Sequence, residues 1–247
     1  IDLETHDMLC EVLPVAFGDV YLSQENRPEC MDFYDMVVAD IHGIRPSELI
    51  AHQEKGGKVF GTFCVYVPDE IVFAADAIAT GLCGGSQFWV PDGEKVLPTN
   101  TCPLIKASVG ARLGRTCPFF RIADMYVGET TCDGKKKMFE LMNELKETFV
   151  MQLPYSRDEA AVKAWEAEIC RFWKKLEEFY GITITEEDVR RAIELKNRER
   201  DVMLRFLELG KLNPAHISGY EMGSRLDSLG FDPDIAHRCR VIEERTA

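Results

Sequence analysis

Apolar positions follow two different rhythms along this 247-residue chain. Between residues 56 and 153 they come in short runs closed by Gly, Pro or Asp. Lys58-Val59-Phe60-Gly61-Thr62-Phe63, Ile78-Ala79-Thr80-Gly81-Leu82 and Ile122-Ala123-Asp124-Met125-Tyr126-Val127 are such runs, and they predict short buried strands. Helix starts stand between them. Pro68-Asp69-Glu70 precedes an apolar stretch over 71–77, Cys102-Pro103 precedes Leu104–Val109, and a further helix is predicted over 135–150. Proline and acids in a first turn suit the free amides and positive end of a helix. Strand, loop and helix alternate, which predicts an α/β domain: a Rossmann-like, largely parallel sheet with helices on both faces.

Outside that stretch the period is helical. Residues 1–55 read as a helical segment. A helix runs over Met31–Ile41, and a second begins at Arg45-Pro46-Ser47-Glu48 with Ser47 as its cap. Residues 154–247 form another helical segment, packed on the α/β domain or bridging from it. Val162, Trp165, Ile169, Trp173, Leu176 and Tyr180 recur at helical spacing, and Gly181 ends that helix. Thr185-Glu186-Glu187-Asp188 opens a long helix to Leu209, and two short helices follow from Ser218 and from about Pro233. The chain starts at Ile1 and its last helix runs out without a cap, so a fragment or a processed chain is expected.

Composition narrows the classes. Hydrophobic residues make up 46% and charged residues 29%, ordinary for a globular protein. The net charge of −13 argues against nucleic acid, which requires a basic surface. No apolar run reaches the length of a membrane span and no export pattern stands at the start, so a cytoplasmic protein is expected. The acidity is uneven: from Cys64 to Lys137 there are eight acidic and eight basic side chains, and the whole excess lies outside that stretch.

The same neutral stretch holds five of the nine cysteines, Cys64, Cys83, Cys102, Cys117 and Cys132, separated by 19, 19, 15 and 15 residues. Each stands beside Gly, Pro or Thr where a strand or helix should begin or end. Disulfides require an oxidising compartment and an even count is usual. Zinc sites normally show CxxC pairs, and none occurs. Thiols spread over the loops of one sheet fit a larger inorganic cluster, and in parallel sheets ligands gather beyond the carboxyl ends of the strands. Cys10, Cys30 and Cys170 read as structural and Cys239 as exposed. His6, His42 and His52 lack companions at metal-ligand spacing. Lys135, Lys136 and Lys137 occupy a first helical turn, where the dipole disfavours cations; they read either as a solvated turn or as countercharge for a cluster or an acidic partner.

Residues 56–145 resemble the D-component of 2-hydroxyacyl-CoA dehydratases and benzoyl-CoA reductases. The resemblance rests on Gly61-Thr62-Phe63-Cys64 with Pro68-Asp69-Glu70-Ile71, on Gly81-Leu82-Cys83-Gly84-Gly85, on Leu97-Pro98-Thr99-Asn100-Thr101-Cys102-Pro103-Leu104-Ile105-Lys106, and on Thr130-Thr131-Cys132-Asp133-Gly134-Lys135-Lys136-Lys137-Met138. It implies an oxygen-sensitive iron–sulfur protein reduced by a separate ATP-hydrolysing activator. Gly110-Ala111-Arg112-Leu113-Gly114-Arg115-Thr116 lacks the lysine of a phosphate-binding loop, which agrees with ATP chemistry residing in a partner. In the dehydratases a [4Fe–4S] cluster is held by cysteines like Cys102 and Cys132, with a third ligand from a second, C-terminal α/β domain that is expected to be absent here.

The branch with the greatest similarity is the double-cubane cluster proteins. For these the resemblance implies a homodimer with an [8Fe–9S] cluster. Cys64, Cys83, Cys102, Cys117 and Cys132 would be ligands and a sixth thiolate would come from the missing domain. The expected activity is a low-potential reductase that passes electrons to a small substrate. A heterodimeric dehydratase subunit working through a ketyl radical is the first rival, and a non-catalytic electron carrier the second. No residue stands out as a general base: the histidines are scattered, and Asp69, Glu70 and Asp133 suit helix starts.

Overall fold

The computed structural model describes residues 1–63, 65–82 and 84–246. In chain order it contains α1 (Leu3–Phe17), α2 (Asp32–Ala39), α3 (Ile44–Glu54), β1 (Lys58–Thr62), α4 (Asp69–Ala74) and β2 (Ala77–Gly81). Then come α5 (Val90–Gly93), α6 (Pro103–Leu113), α7 (Pro118–Ile122), β3 (Met125–Glu129), α8 (Asp133–Leu145) and β4 (Thr148–Met151). The chain closes with α9 (Glu159–Tyr180), α10 (Glu186–Glu208), α11 (Gly219–Leu229) and α12 (Ile235–Thr246). It divides into two compact units, one of residues 1–2 and 52–189, the other of 3–51 and 190–247.

The first unit holds the expected α/β fold, a parallel sheet with helices on both faces. Its strands run in the order β2-β1-β3-β4, all parallel. Phe60 pairs with Ala79 on one side and with Met125 on the other, and Gly128 pairs with Val150. The chain leaves β1 for β2 in one direction, then crosses back to place β3 on the other side of β1. The gap between the carboxyl ends of β1 and β3 is therefore the topological switch point, where such sheets open a crevice.

Both faces are covered, so β1 and β3 are apolar without alternation. On one face α4 and α9 bury Phe60, Met125, Val127, Phe149 and Met151 under Val72, Phe172 and Leu176. Tyr180, at the end of α9, stands edge-on to Phe60 with centroids 5.3 Å apart and donates its hydroxyl to Asp124 at 2.9 Å. Burial, then that carboxylate, push the Tyr180 pKa up. On the other face Gly61 and Gly128 leave room for Leu82 and for the ring of Phe139 on α8. Tyr126 lies there with Phe120 and Phe63 and donates to the Phe120 carbonyl at 2.6 Å; burial raises its pKa to about 12.

Three elements depart from the sequence expectation. The helix predicted over 135–150 ends at Leu145, and Thr148-Phe149-Val150-Met151 is strand β4. Its β-branched and aromatic residues fill the sheet edge beside β3, a tertiary pairing that a helical count does not register. The run from Ile122 is split, because Pro118–Ile122 form α7 and the strand begins at Met125. Ser47 is not a cap. Helix α3 starts at Ile44, whose amide is taken by the Asp40 carboxylate at 2.9 Å, while Ser47 donates back to Gly43 O at 2.8 Å.

The second unit is helical. Arg225 is fully buried, stacks on Tyr34 at 4.7 Å and donates to Glu221 and to the Glu29 carbonyl. Arg238 reaches Glu199 at 3.1 Å. Cys239, expected at the surface, is 1% exposed, because α12 turns it, with Val241 and Ile242, into the core. His6 and His42 stack with centroids 5.9 Å apart, and Cys10 lies 3.9 Å from the His6 ring. Burial, reinforced by His6, lowers the His42 pKa to about 4.

Two outcomes are expected. His42 is neutral when folded and protonates near pH 6.5 when unfolded. The unfolded chain then binds more protons below pH 6.5, so urea stability falls by about 3 kcal/mol as pH drops from 6.5 to 4, and His42→Gln flattens that slope. The second concerns α6. A Cβ at Gly110 would fall on the Trp89 carbonyl oxygen, and one at Gly93 on that of Lys106. Gly110→Ala, which gains about 1 kcal/mol of helix propensity, is expected to lose about 2 kcal/mol net by overpacking; a stabilised variant in urea melts would contradict the packing.

Candidate metal centre

Three of the five expected ligands are described, and each stands at the N-cap position of a helix, Cys132 being the one of the three whose side chain makes a cap hydrogen bond. Cys102 is the N-cap of α6 with Pro103 at the first helical position, and Cys117 is that of α7 ahead of Pro118. Proline fits there because its φ is preset and the N–H it lacks has no helical partner. Cys132 is the N-cap of α8, in extended conformation, and its sulfur accepts the Lys135 amide at 3.3 Å. It does what Ser or Asp does at such positions. Free amides and the helix dipole make these places favourable for negative sulfur. Cys102 and Cys132 are exposed and Cys117 is buried.

The structure brings two of these thiols to one edge. The Ile105 side chain, one turn into α6, fills the space over Gly134 beside the Cys132 sulfur. At the other end Arg112 of α6 donates to the carbonyl of Leu145, the last residue of α8, at 3.1 Å. The two helices thus run side by side in the same direction, starting at the carboxyl edge of the sheet. Cys102 and Cys132 stand together at those starts, beside the switch point.

Cys117 does not join them. Eleven residues of α6 span about 16 Å at 1.5 Å per residue, and Cys117 lies four residues past the far end. Its neighbourhood is the amino edge of the sheet, where Ile122 O accepts from Gln53 and Asp124 N donates to Val59 O. Cys64 and Cys83 lie outside the described residues; in sequence each stands two residues beyond the end of β1 or β2. Their described neighbours belong to the carboxyl edge. Phe63 continues the ladder onto Val127 O at 3.0 Å. Gly84 approaches the backbone of Ala107 and Ser108 on α6 so closely that no side chain fits.

The lysines of the first turn of α8 are all engaged. Lys135 pairs with Glu129, whose side chain is 0% exposed, and Thr131 N donates to the same carboxylate at 2.7 Å. Lys136 reaches Asp133 at 3.1 Å and the Tyr155 hydroxyl at 2.7 Å, and these two contacts raise its pKa. Lys137 pairs with Glu140. The buried Glu129 at the end of β3 was not anticipated; the only signal was a lysine where the dipole disfavours one. Two clefts open near this edge, neither of them lined by a thiol among the described residues. One of about 200 Å³ lies between Gly84–Gln87 and the first turn of α6. The other, about 460 Å³, is walled by Tyr66, Tyr155, Arg157 and Trp165.

Among the described residues no three Cys, His, Asp or Glu side chains gather closely enough to hold a metal ion. Soft thiols at helix starts fit an iron–sulfur group in donor type, and further ligands would have to complete it. No helix among the described residues is long and apolar enough to cross a membrane.

The family profile for the D-component of 2-hydroxyglutaryl-CoA dehydratase matches residues 64–244. The chain belongs to that family. Among curated proteins it is 47% identical over 171 residues to YjiM of Escherichia coli (strain K12), a candidate dehydratase subunit by name, covering 69% of this chain and 45% of that one. It is 26% identical to the (R)-phenyllactyl-CoA dehydratase beta subunit of Clostridium sporogenes, over 69% of this chain and 46% of the relative. A benzoyl-CoA reductase subunit of Thauera aromatica matches at 26%, over 59% of this chain and 38% of the relative. The chain thus spans under half the length of the curated relatives it matches.

The Glu129–Lys135 pair of this D-component chain carries a stability prediction. Lys135→Met removes the lysine that pairs with a buried carboxylate and should cost about 3 kcal/mol. Lys137→Met, at an exposed pair, should cost under about 0.5 kcal/mol. Urea denaturation of both variants checks the ratio; equal losses would mean that the buried pair does not hold the β3–α8 turn.

Proposed function

We propose that this chain is the cluster-bearing part of a low-potential iron–sulfur reductase of its family, with a double-cubane [8Fe–9S] group reduced by a separate ATP-hydrolysing activator and a homodimeric assembly. The observation that carries the reading is the pairing of Cys102 and Cys132 at adjacent helix starts on the carboxyl edge, at the switch point. Cys64 and Cys83, which follow β1 and β2 in sequence, complete the set from this chain, and other thiolates come from outside it. The placement of Cys117 beyond the far end of α6 favours leaving it out.

When bound, the group would supply single electrons at low potential to a small substrate. The chain's own residues would do the rest. The Lys135 amide already donates to the Cys132 sulfur, and such donation to cluster sulfur tunes potential. Ile105 provides apolar cover beside it. The Glu129–Lys135 pair is internally neutral and holds the turn that carries Cys132. Lys136 and Lys137, each beside an acid, add little net field.

A second reading is a dehydratase subunit, the kind of protein that two relatives are named as; on that reading the chain would carry one [4Fe–4S] group in a heterodimer. Iron analysis of the natural protein, prepared without oxygen, separates the two, with about eight irons per chain expected for the double cubane and about four for the single one. Cys132→Ser keeps its helix cap and Cys102→Ser puts a favoured residue at an N-cap position, and both are expected to lose at least about half of the iron. Cys117→Ser is expected to keep it. Loss of iron in Cys117→Ser equal to that in Cys132→Ser would overturn the ligand assignment.

A further inference from the structure

At the amino edge of the sheet, away from the exposed thiols, a cavity of about 180 Å³ is lined by Arg112, Arg115, Arg121 and Cys117, with Ile1, Ala111 and Phe120 as its apolar wall. The charge here runs against the rest of the molecule, whose net charge is −13. Several arginines elsewhere reach carboxylates: Arg27 reaches Asp35, Arg171 reaches Glu168, Arg225 reaches Glu221 and Arg238 reaches Glu199. Around this cavity none does. Among the described residues the side chains of Arg115 and Arg121 have no hydrogen-bond or ion-pair partner. Arg112 spends one nitrogen on the Leu145 carbonyl and interacts with the Tyr126 hydroxyl, and its Nε is buried without a partner.

A fourth cation stands behind them. Lys146 donates to the carbonyls of Arg121 and Ala123. Its pKa is lowered by burial and then by the charges of Arg121 and Arg112, against Asp124. Three acids stand nearby: Asp124, whose oxygens are taken by Val59 N, Gln53 and the Tyr180 hydroxyl, Asp92, which lies against Gly114 and pairs with Lys95, and Asp2, whose amide donates to the Arg115 carbonyl and whose other contacts are not with these arginines. Like charges crowded at a partly desolvated edge without a counter-ion repel one another, and an oxyanion is what relieves them. Arginine forks match tetrahedral phosphate oxygens by paired, charge-assisted hydrogen bonds.

We propose that this cavity is a binding site for the phosphate group of a small phosphorylated ligand, held by Arg112, Arg115 and Arg121 with the Cys117 thiol in its wall. The site is separate from the candidate cluster, since α6 lies between Cys117 and Cys102. It does not depend on whether the cluster reading holds.

The test is calorimetric titration of inorganic phosphate into the natural protein at an ionic strength fixed with chloride. Saturable binding is expected, weakened at least about tenfold in Arg115→Gln/Arg121→Gln. Both side chains are exposed and unpartnered, so the fold should survive, which circular dichroism checks. Alkylation of Cys117, followed by peptide mass spectrometry, should slow severalfold with phosphate in the natural protein and not in the double variant. Arg157→Gln, an exposed unpartnered arginine at the opposite sheet edge, is the charge control. Absence of binding, equal binding in the double variant, an equal loss in Arg157→Gln, or Cys117 protection no greater than chloride gives would each overturn the proposal.

Discussion

Helix α6 is held by backbone-to-backbone contact, and the placement of the cysteines depends on that contact. Gly84 and Gly93 bring neighbouring backbone onto α6 at Ala107–Ser108 and Lys106, and Gly110 admits the Trp89 carbonyl. Lys106 is buried in the process and answers with Glu94 at 2.6 Å and the Thr99 carbonyl at 2.8 Å. Packing without intervening side chains tolerates little displacement. A helix fixed in this way fixes both of its ends, with Cys102 at one and the turn to Cys117 beyond the other. On the neighbouring α8 the Cys132 thiol is oriented by the backbone amide it accepts.

The sheet order adds the second constraint. Because β1 lies between β2 and β3, the loops after β1 and β3 diverge to opposite faces and leave a crevice. Glu129 ends β3 in full burial, and Lys135 from the first turn of α8 pairs with it across the turn. The ion pair therefore ties the strand end to the helix start that carries Cys132. It also explains why a lysine occupies a helical position that the dipole disfavours: a buried carboxylate at close range outweighs a terminal partial charge.

Much of this was legible in the chain. The buried strands β1 to β3, the helix starts at Pro68, Pro103 and Asp133, and the long α9 and α10 follow from period and punctuation, and the family resemblance was carried by the cysteine-flanking motifs. What escaped has a common cause. Strand β4 lies just past a helical run, and its identity comes from pairing with β3. Cys239 is buried because of tertiary packing rather than its polar neighbours in sequence. Even spacing suggested that five cysteines form one set, yet spacing along a chain does not record which end of a helix each one occupies.

That last point bears on how the two sheet edges divide their work. The carboxyl edge holds exposed thiols beside neutralised lysines, and an electron-carrying group there would feel little net charge from its surroundings. The amino edge holds a buried thiol among three arginines that pair with no carboxylate among the described residues. A neutral count over residues 64–137 conceals this division, because Asp92, Glu94, Glu129 and Asp133 pair with lysines. Helix α6 separates the two environments and runs from one to the other. Its dipole presents its positive end to Cys102 and its negative end to Arg112 and Arg115. The helix thereby favours negative sulfur at one edge and tolerates crowded cations at the other, so one backbone element sustains both sites.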